Sequence, residues 1–159
     1  MEEDRVRCDC CGDVLDDQRL RWEYDLPDEL VDAPEEISYR SRAVVLSEVG
    51  SFLRCIAPIH LDTGAVARIG AWVAILGDAR AVMAAGRAGG DAWESLRFTG
   101  VLANTLGPWP EIHRPVVSVA VSGPELVPLL VSSRDPRMRD VLTRSWPHPD
   151  VVPPRGRHR

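Results

Sequence analysis

Apolar runs along this chain are separated by short polar breaks, and the spacing of those breaks lays out the expected elements. Residues 43–47 and 52–61 are runs rich in Val, Ile and Leu, divided by a turn at Gly50, which is a hairpin signal. Asp62-Thr63-Gly64 makes a second turn and residues 65–76 a third strand, so three consecutive antiparallel strands are expected to form a meander. Asp78 supplies an N-cap for an Ala-rich helix over 79–87, which Gly89-Gly90 ends and which should pack on one face of the sheet. Further on, 96–106 reads as extended, Gly107-Pro108-Trp109-Pro110 as a rigid turn, and 115–122 as a strand of alternating Val and small residues. Residues 125–132 add an edge strand, the one setting in which Pro128 is tolerated. Asp135 caps a last helix over 136–146.

Ahead of the meander, 13–18 is polar and turn-like. Two helical segments follow, at 26–30 and 33–41, each opening on a proline and two acidic residues. Residues 147–159 carry four prolines and several basic residues with almost nothing to bury, so they read as a disordered tail. No internal repeat or second domain is visible. The expected fold is a single α+β domain over residues 1–146: a curved, mainly antiparallel sheet with one or two packed helices and a Cys knuckle at 8–12.

The length, 159 residues, suffices to bury one core without metal or disulfide staples, which would make any zinc site an accessory to folding. The formal net charge is -5 and the acids crowd the first half, which argues against a nucleic-acid-binding surface. All 19 basic residues are Arg, so Schiff-base and P-loop lysine mechanisms are excluded. The same bias, with abundant Ala, Val and Gly, fits a GC-rich bacterial genome. Met1-Glu2-Glu3-Asp4 is not the start of a secretory signal, and no apolar segment approaches the ~20 residues of a membrane span. A cytoplasmic protein is expected, with no membrane association and with thiols reduced or metal-bound.

The densest chemistry is Cys8-Asp9-Cys10-Cys11-Gly12. Cys8 and Cys11 have the Cys-x-x-Cys-Gly spacing of a zinc knuckle, whose further ligands would come from Cys10, Cys55 and His60. Cys55 and His60 lie five apart on one strand, so their side chains point to opposite faces unless a bulge or Pro58 disturbs the pleat. A thiol redox pair is the second reading, although no βαβ pattern surrounds the motif and Asp9 and Asp13 would raise thiol pKa values. Unliganded cysteines near the N-terminus are the third. Cys55 itself reads as a small buried hydrophobe. His60 and His113 have no Ser or Cys company that would make a catalytic triad, and the acids at 25–36 fall where helix first turns favour negative charge.

The order Cys8-x-x-Cys11-Gly12, Arg42-Ala43-Val44-Val45-Leu46, Phe52-Leu53-Arg54, Ile69-Gly70-Ala71-Trp72-Val73, Phe98-x-Gly100-x-Leu102-x-Asn104-x-Leu106 and Pro115-Val116-Val117 resembles the bacterial family catalogued as domain of unknown function 2199. The resemblance spans most of residues 8–146 and implies a stand-alone bacterial domain, not a reaction. Members often carry a His soon after Cys-Gly and a His-Pro-Leu near the last helix; here 13–17 holds no His and the later segment reads Asp135-Pro136-Arg137. Cys10, the extra thiol, is then the candidate substitute ligand.

Two functions follow from these residues. The first is a non-enzymatic binding or regulatory module, with an unidentified protein or small-molecule partner and a structural zinc on Cys8, Cys11 and Cys10. The second is an enzyme or small-molecule binder using the concave sheet face near Trp72, Asn104 and Trp109, because an amide on a largely apolar strand needs a partner and a ligand could be one.

Overall fold

In an antiparallel meander of five strands the first and fifth run in the same direction, so such a sheet can close only through a parallel seam. This chain closes in that way. The structure is a computed structural model that describes residues 20–152, with eight strands: β1 (Arg21–Glu23), β2 (Ile37–Arg40), β3 (Val44–Ser47), β4 (Gly50–His60), β5 (Val66–Ile75), β6 (Arg97–Leu102), β7 (Val116–Ser122) and β8 (Val127–Ser133). Strands β4 to β8 pair antiparallel in sequence, and β8 meets β4 in parallel at Ile56 and Leu129, closing a five-stranded barrel. The remaining strands are additions: β3 and β2 extend from the free edge of β4, and β1 runs parallel to β5.

The two longest strands, β4 and β5, separate the faces by strict alternation. Leu53, Cys55, Ala57 and Ile59 of β4, with Ala67, Ile69, Ala71 and Val73 of β5, enter the barrel core with Leu102, Val117, Val119 and Leu130. The opposite face begins with Phe52 and Trp72, which form a second, smaller core with Leu30, Val45 and Ala103. The covering layer on that side is the segment 24–37, with its 3-10 turns Asp28–Leu30 and Pro34–Glu36. Burial on both faces explains why the middle of β4 and β5 reads as a continuous apolar run.

Four helices complete the domain: α1 (Ala79–Ala88), α2 (Gly90–Glu94), α3 (Pro136–Thr143) and α4 (His148–Val151). Asp78 and Asp135 cap α1 and α3 as expected, accepting from the backbone N–H groups of Ala81 and of Arg137 and Met138 respectively. Helix α3 packs on β4 and β8 and buries Met138, Val141 and Leu142. Helix α1 is more peripheral and buries only Val82.

The three-strand meander, the 115–122 strand and the starts of both capped helices match expectation, and five expectations change. The segment 33–41 leaves its Pro34 turn as strand β2, because Ile37 and Tyr39 are β-formers and the edge of β3 is open to pair with them. Strand β8 is not an edge strand. Its contact with β4 is reduced to the single Leu129 position, and a strand so thinly paired on one side still accommodates Pro128. The extended segment 96–106 ends as a strand at Leu102, and the helix expected to reach residue 146 ends at Thr143. Residues 147–152 are not a tail: Trp146 N–H donates to His60 O, Asp62 N–H donates to Trp146 O, and α4 buries His148 and Val151. The Cys knuckle and residues 153–159 lie outside the described residues.

Gly100 marks the tightest approach in the barrel, since a Cβ there would stand 2.3 Å from Val73 Cγ1 and 2.5 Å from the Ala74 carbonyl oxygen. Backbone cannot retreat from such a contact cheaply. Gly100→Ala should therefore destabilise the domain by about 1–3 kcal/mol. Gly86→Ala, in the interior of α1 with only Trp93 at 3.8 Å, should stabilise it by about 0.5–1 kcal/mol. Urea midpoints of the two variants moving in the same direction would contradict this packing.

Candidate functional site

The residues singled out in the sequence resolve first. Cys55 is fully buried, its Sγ lies 3.5 Å from Leu53 O, and burial pushes its thiol far above the ordinary cysteine range. Such a thiol is neither a nucleophile nor a ready metal ligand. His60 lies on the opposite, exposed face of β4, so the strand does not bring the two together. Among the described residues no three His, Cys, Asp or Glu side chains gather as a metal site. Cys8, Cys10 and Cys11 are outside the described residues.

Asn104 is 2% exposed and its amide is fully used inside the protein. Its Oδ1 accepts from the Trp72 backbone N–H at 2.7 Å, and its Nδ2 donates to Leu26 O at 2.9 Å and to Asp28 Oδ1 at 3.0 Å. The amide thus ties the 24–28 segment to β5, and no ligand is needed to satisfy it. Trp72 is fully buried, and Trp109 is buried against Trp146 in an edge-on contact with centroids 5.1 Å apart. These three residues are packing and do not line an open sheet-face pocket.

The open feature is elsewhere, on the outer face of β1, β4 and β5. Register places Arg21 beside Arg68 and Glu23 beside Gly70 on β1 and β5, with Pro58 and Ile56 next to Arg68 and Gly70 on β4. Gly70 permits this layout, because a Cβ there would lie 2.8 Å from Glu23 Cβ. Glu23 lies across β5 and ion-pairs with Arg54, whose Nη2 also donates to Tyr24 O at 3.1 Å. The Arg54 side chain is only 13% exposed and its guanidinium stacks 4.6 Å from the Trp72 ring centroid. Its Nε–H is buried without a partner among the described residues, a cost of about 1–3 kcal/mol that the stacking and two strong contacts must offset.

Beyond Arg54 the face opens into a groove of about 210 Å³, floored by Ile56 and Gly70 and rimmed by Arg21, Arg42, Arg68 and Glu125. It continues past Glu23 and Arg42 into a wider, shallower recess with Arg40, Ser41 and Asp25. Five guanidiniums and three carboxylates line the two parts, a local surplus of two positive charges on a chain of net charge -5. Two of the ion pairs are long, Arg21–Glu125 and Arg42–Glu23 at 3.5 and 3.4 Å, and the Arg42 side chain is 86% exposed. Glu125, in the turn between β7 and β8, also receives Arg68 at 3.1 Å. The Arg68 hydrogen bond, then its charge, holds the Glu125 carboxyl below its ordinary value.

Sequence reasoning missed this groove because β1 is three residues long and Arg21, Arg54 and Arg68 come from separate segments. The signal was an arginine on the polar phase of three strands, legible only once the strands are paired. Comparison with known proteins finds no matching family model, no similar curated protein and no similar solved structure, so no family is shown for this chain.

The Glu125 arrangement sets a sign for pH dependence. A carboxyl held low in the fold favours folding above its unfolded value, and that contribution is lost as pH falls through the folded value. In a side-chain NMR titration Glu125 should have its midpoint below the 4.5 of an unperturbed Glu, and Arg68→Ala should move it back up. A midpoint indifferent to Arg68 would remove the pairing.

Proposed function

We propose that this chain is a cytoplasmic, non-catalytic binding module whose recognition surface is the arginine-lined groove and whose ligand is anionic. The observation that carries the reading is the surplus of guanidinium groups over carboxylates on one face of an acidic chain. Arginine suits this task, since its five N–H donors form a planar fork that matches oxyanions and stays charged at any working pH. With an adjoining open recess of about 420 Å³, the groove's floor section of about 210 Å³ lies below the ~300–1,000 Å³ typical of sites that enclose a whole small-molecule substrate. It suits a side chain or a single acidic group. The one described cysteine is sealed in the barrel, and His60 is exposed on the opposite face of the same strand.

Binding of small carboxylates and of inorganic phosphate, followed by amide chemical shifts at low salt, tests the reading. Shifts should cluster at Arg21, Arg42, Arg68 and Glu125 and weaken as ionic strength rises. Arg42→Glu, at an exposed position, should abolish them without lowering stability; shifts scattered over the surface would defeat the proposal.

A structural zinc on Cys8, Cys11 and Cys10 belongs to the same proposal. Cys55 is sealed in the barrel and is a poor ligand, which leaves exposed His60 as the described candidate for a fourth ligand. Elemental analysis of protein purified without chelator should find about one zinc per chain. The zinc should be lost in Cys8→Ser with Cys11→Ser; metal-free protein with freely titrating thiols would dismiss it.

A further inference from the structure

Glu125 places one of the protein's own carboxylates among the arginines of the groove. Its two carboxylate oxygens face different guanidiniums, Oε1 toward Arg21 at 3.5 Å and Oε2 toward Arg68 at 3.1 Å. The carboxylate is half exposed and sits on the turn between β7 and β8, where Gly123 and Leu126 both have positive φ. It is therefore held by two charge contacts and not packed into the domain. Exposed contacts of this kind are individually weak and exchange readily with an equivalent carboxylate.

The surroundings select among anions. Glu23 and Asp25 are interleaved with the arginines, so a ligand of uniform, dense negative charge meets two fixed carboxylates along the same track. A chain with spaced carboxylates and apolar side chains between them avoids that repulsion. The apolar floor at Ile56 and the Val127 wall give such side chains something to cover.

Resting on the anion-binding reading above, we infer that the groove docks an acidic segment of a partner protein, one of whose carboxylates displaces Glu125 from Arg21 and Arg68. Glu125 acts as an internal competitor: it keeps the two guanidiniums paired in the free protein and lowers the affinity for weakly acidic segments. The recess around Arg40 and Arg42 takes a second carboxylate further along the segment, with Arg42 the most accessible of the donors.

Fluorescence anisotropy at low salt tests this with a labelled peptide carrying three spaced glutamates, its glutamine counterpart, inorganic phosphate and a single-stranded DNA oligonucleotide as competitor. The glutamate peptide should bind and the glutamine peptide should not. Arg42→Gln and Arg68→Gln should each weaken binding by about tenfold, a fold-change consistent with loss of a charge-assisted hydrogen bond. Glu125→Gln should strengthen it by about two- to fivefold, the worth of one exposed competing pair. Glu111→Gln, an exposed acid outside the groove, changes net charge equally and should leave the affinity unchanged. Far-ultraviolet circular dichroism and melting of each variant separate lost binding from lost folding, and Arg42, 86% exposed, serves where Arg68→Gln unfolds.

Peptide binding that depends on Arg42 but is insensitive to Glu125→Gln overturns the displacement and leaves the anion-binding reading intact. So does oligonucleotide or phosphate binding at these arginines without peptide binding. If no anion binds in a way that depends on Arg42 or Arg68, both readings fall together.

Discussion

The outer face of this barrel depends on how one short segment, residues 24–28, is fastened to β5. Beside the backbone bond from Tyr24 N–H to Gly70 O, three side chains do the fastening. Asn104 bridges the Trp72 backbone N–H to Leu26 and Asp28, Trp72 Nε1 donates to Tyr24 O, and Arg54 donates to the same carbonyl while stacking on the indole. All three converge on Trp72, whose ring is fully buried. A polar network at a sealed position is costly if half satisfied and rigid if complete. Among the described residues only Arg54 Nε of this network is left over, and the second core of Leu30, Val45 and Phe52 forms behind the fastened segment.

The groove inherits its shape from that fastening. Arg54 faces two ways: its stacked face belongs to the core side, while its Nη1 fixes Glu23 at the edge of the open face. Glu23 in turn can lie across β5 only because position 70 is glycine. Beyond it, Arg21, Arg40 and Arg68 are presented from strands, whereas Arg42 sits in the bend between β2 and β3. A loop would present them less exactly, and immobilising it on binding would cost affinity. Strand pairing therefore sets the backbone positions of Arg21, Arg40 and Arg68 relative to one another.

Much of the barrel was legible in the chain because its signals are local. Gly50 and Asp62-Thr63-Gly64 punctuate long β-branched runs, and Asp78 and Asp135 stand where N-caps belong. Strands β1 and β2 were not legible, since segments of three and four residues carry no period and exist only because a neighbouring edge pairs with them. Closure was hidden for the same reason, as nothing near Leu129 announces Ile56. The candidate site fared worst. Asn104 was correctly marked as an amide in need of partners, but two of those partners, Leu26 and Asp28, lie more than seventy positions away in sequence and a ligand stood in for them. The arginines were passed over because a single Arg on a strand is ordinary and only their convergence is informative.

The seam between β4 and β8 has a kinetic meaning. Every other barrel junction is an antiparallel ladder between consecutive strands, whereas this one joins residues separated by more than half of the described chain through one paired position. Closing a loop of that length costs more chain entropy than closing a hairpin, so the seam is the junction that local contacts support least. Helix α3, which follows β8 directly and lies on both β4 and β8, works as a clasp over it. The domain is in this sense a belt whose buckle is the segment that follows its last strand, with Met138 and Val141 seated in the core.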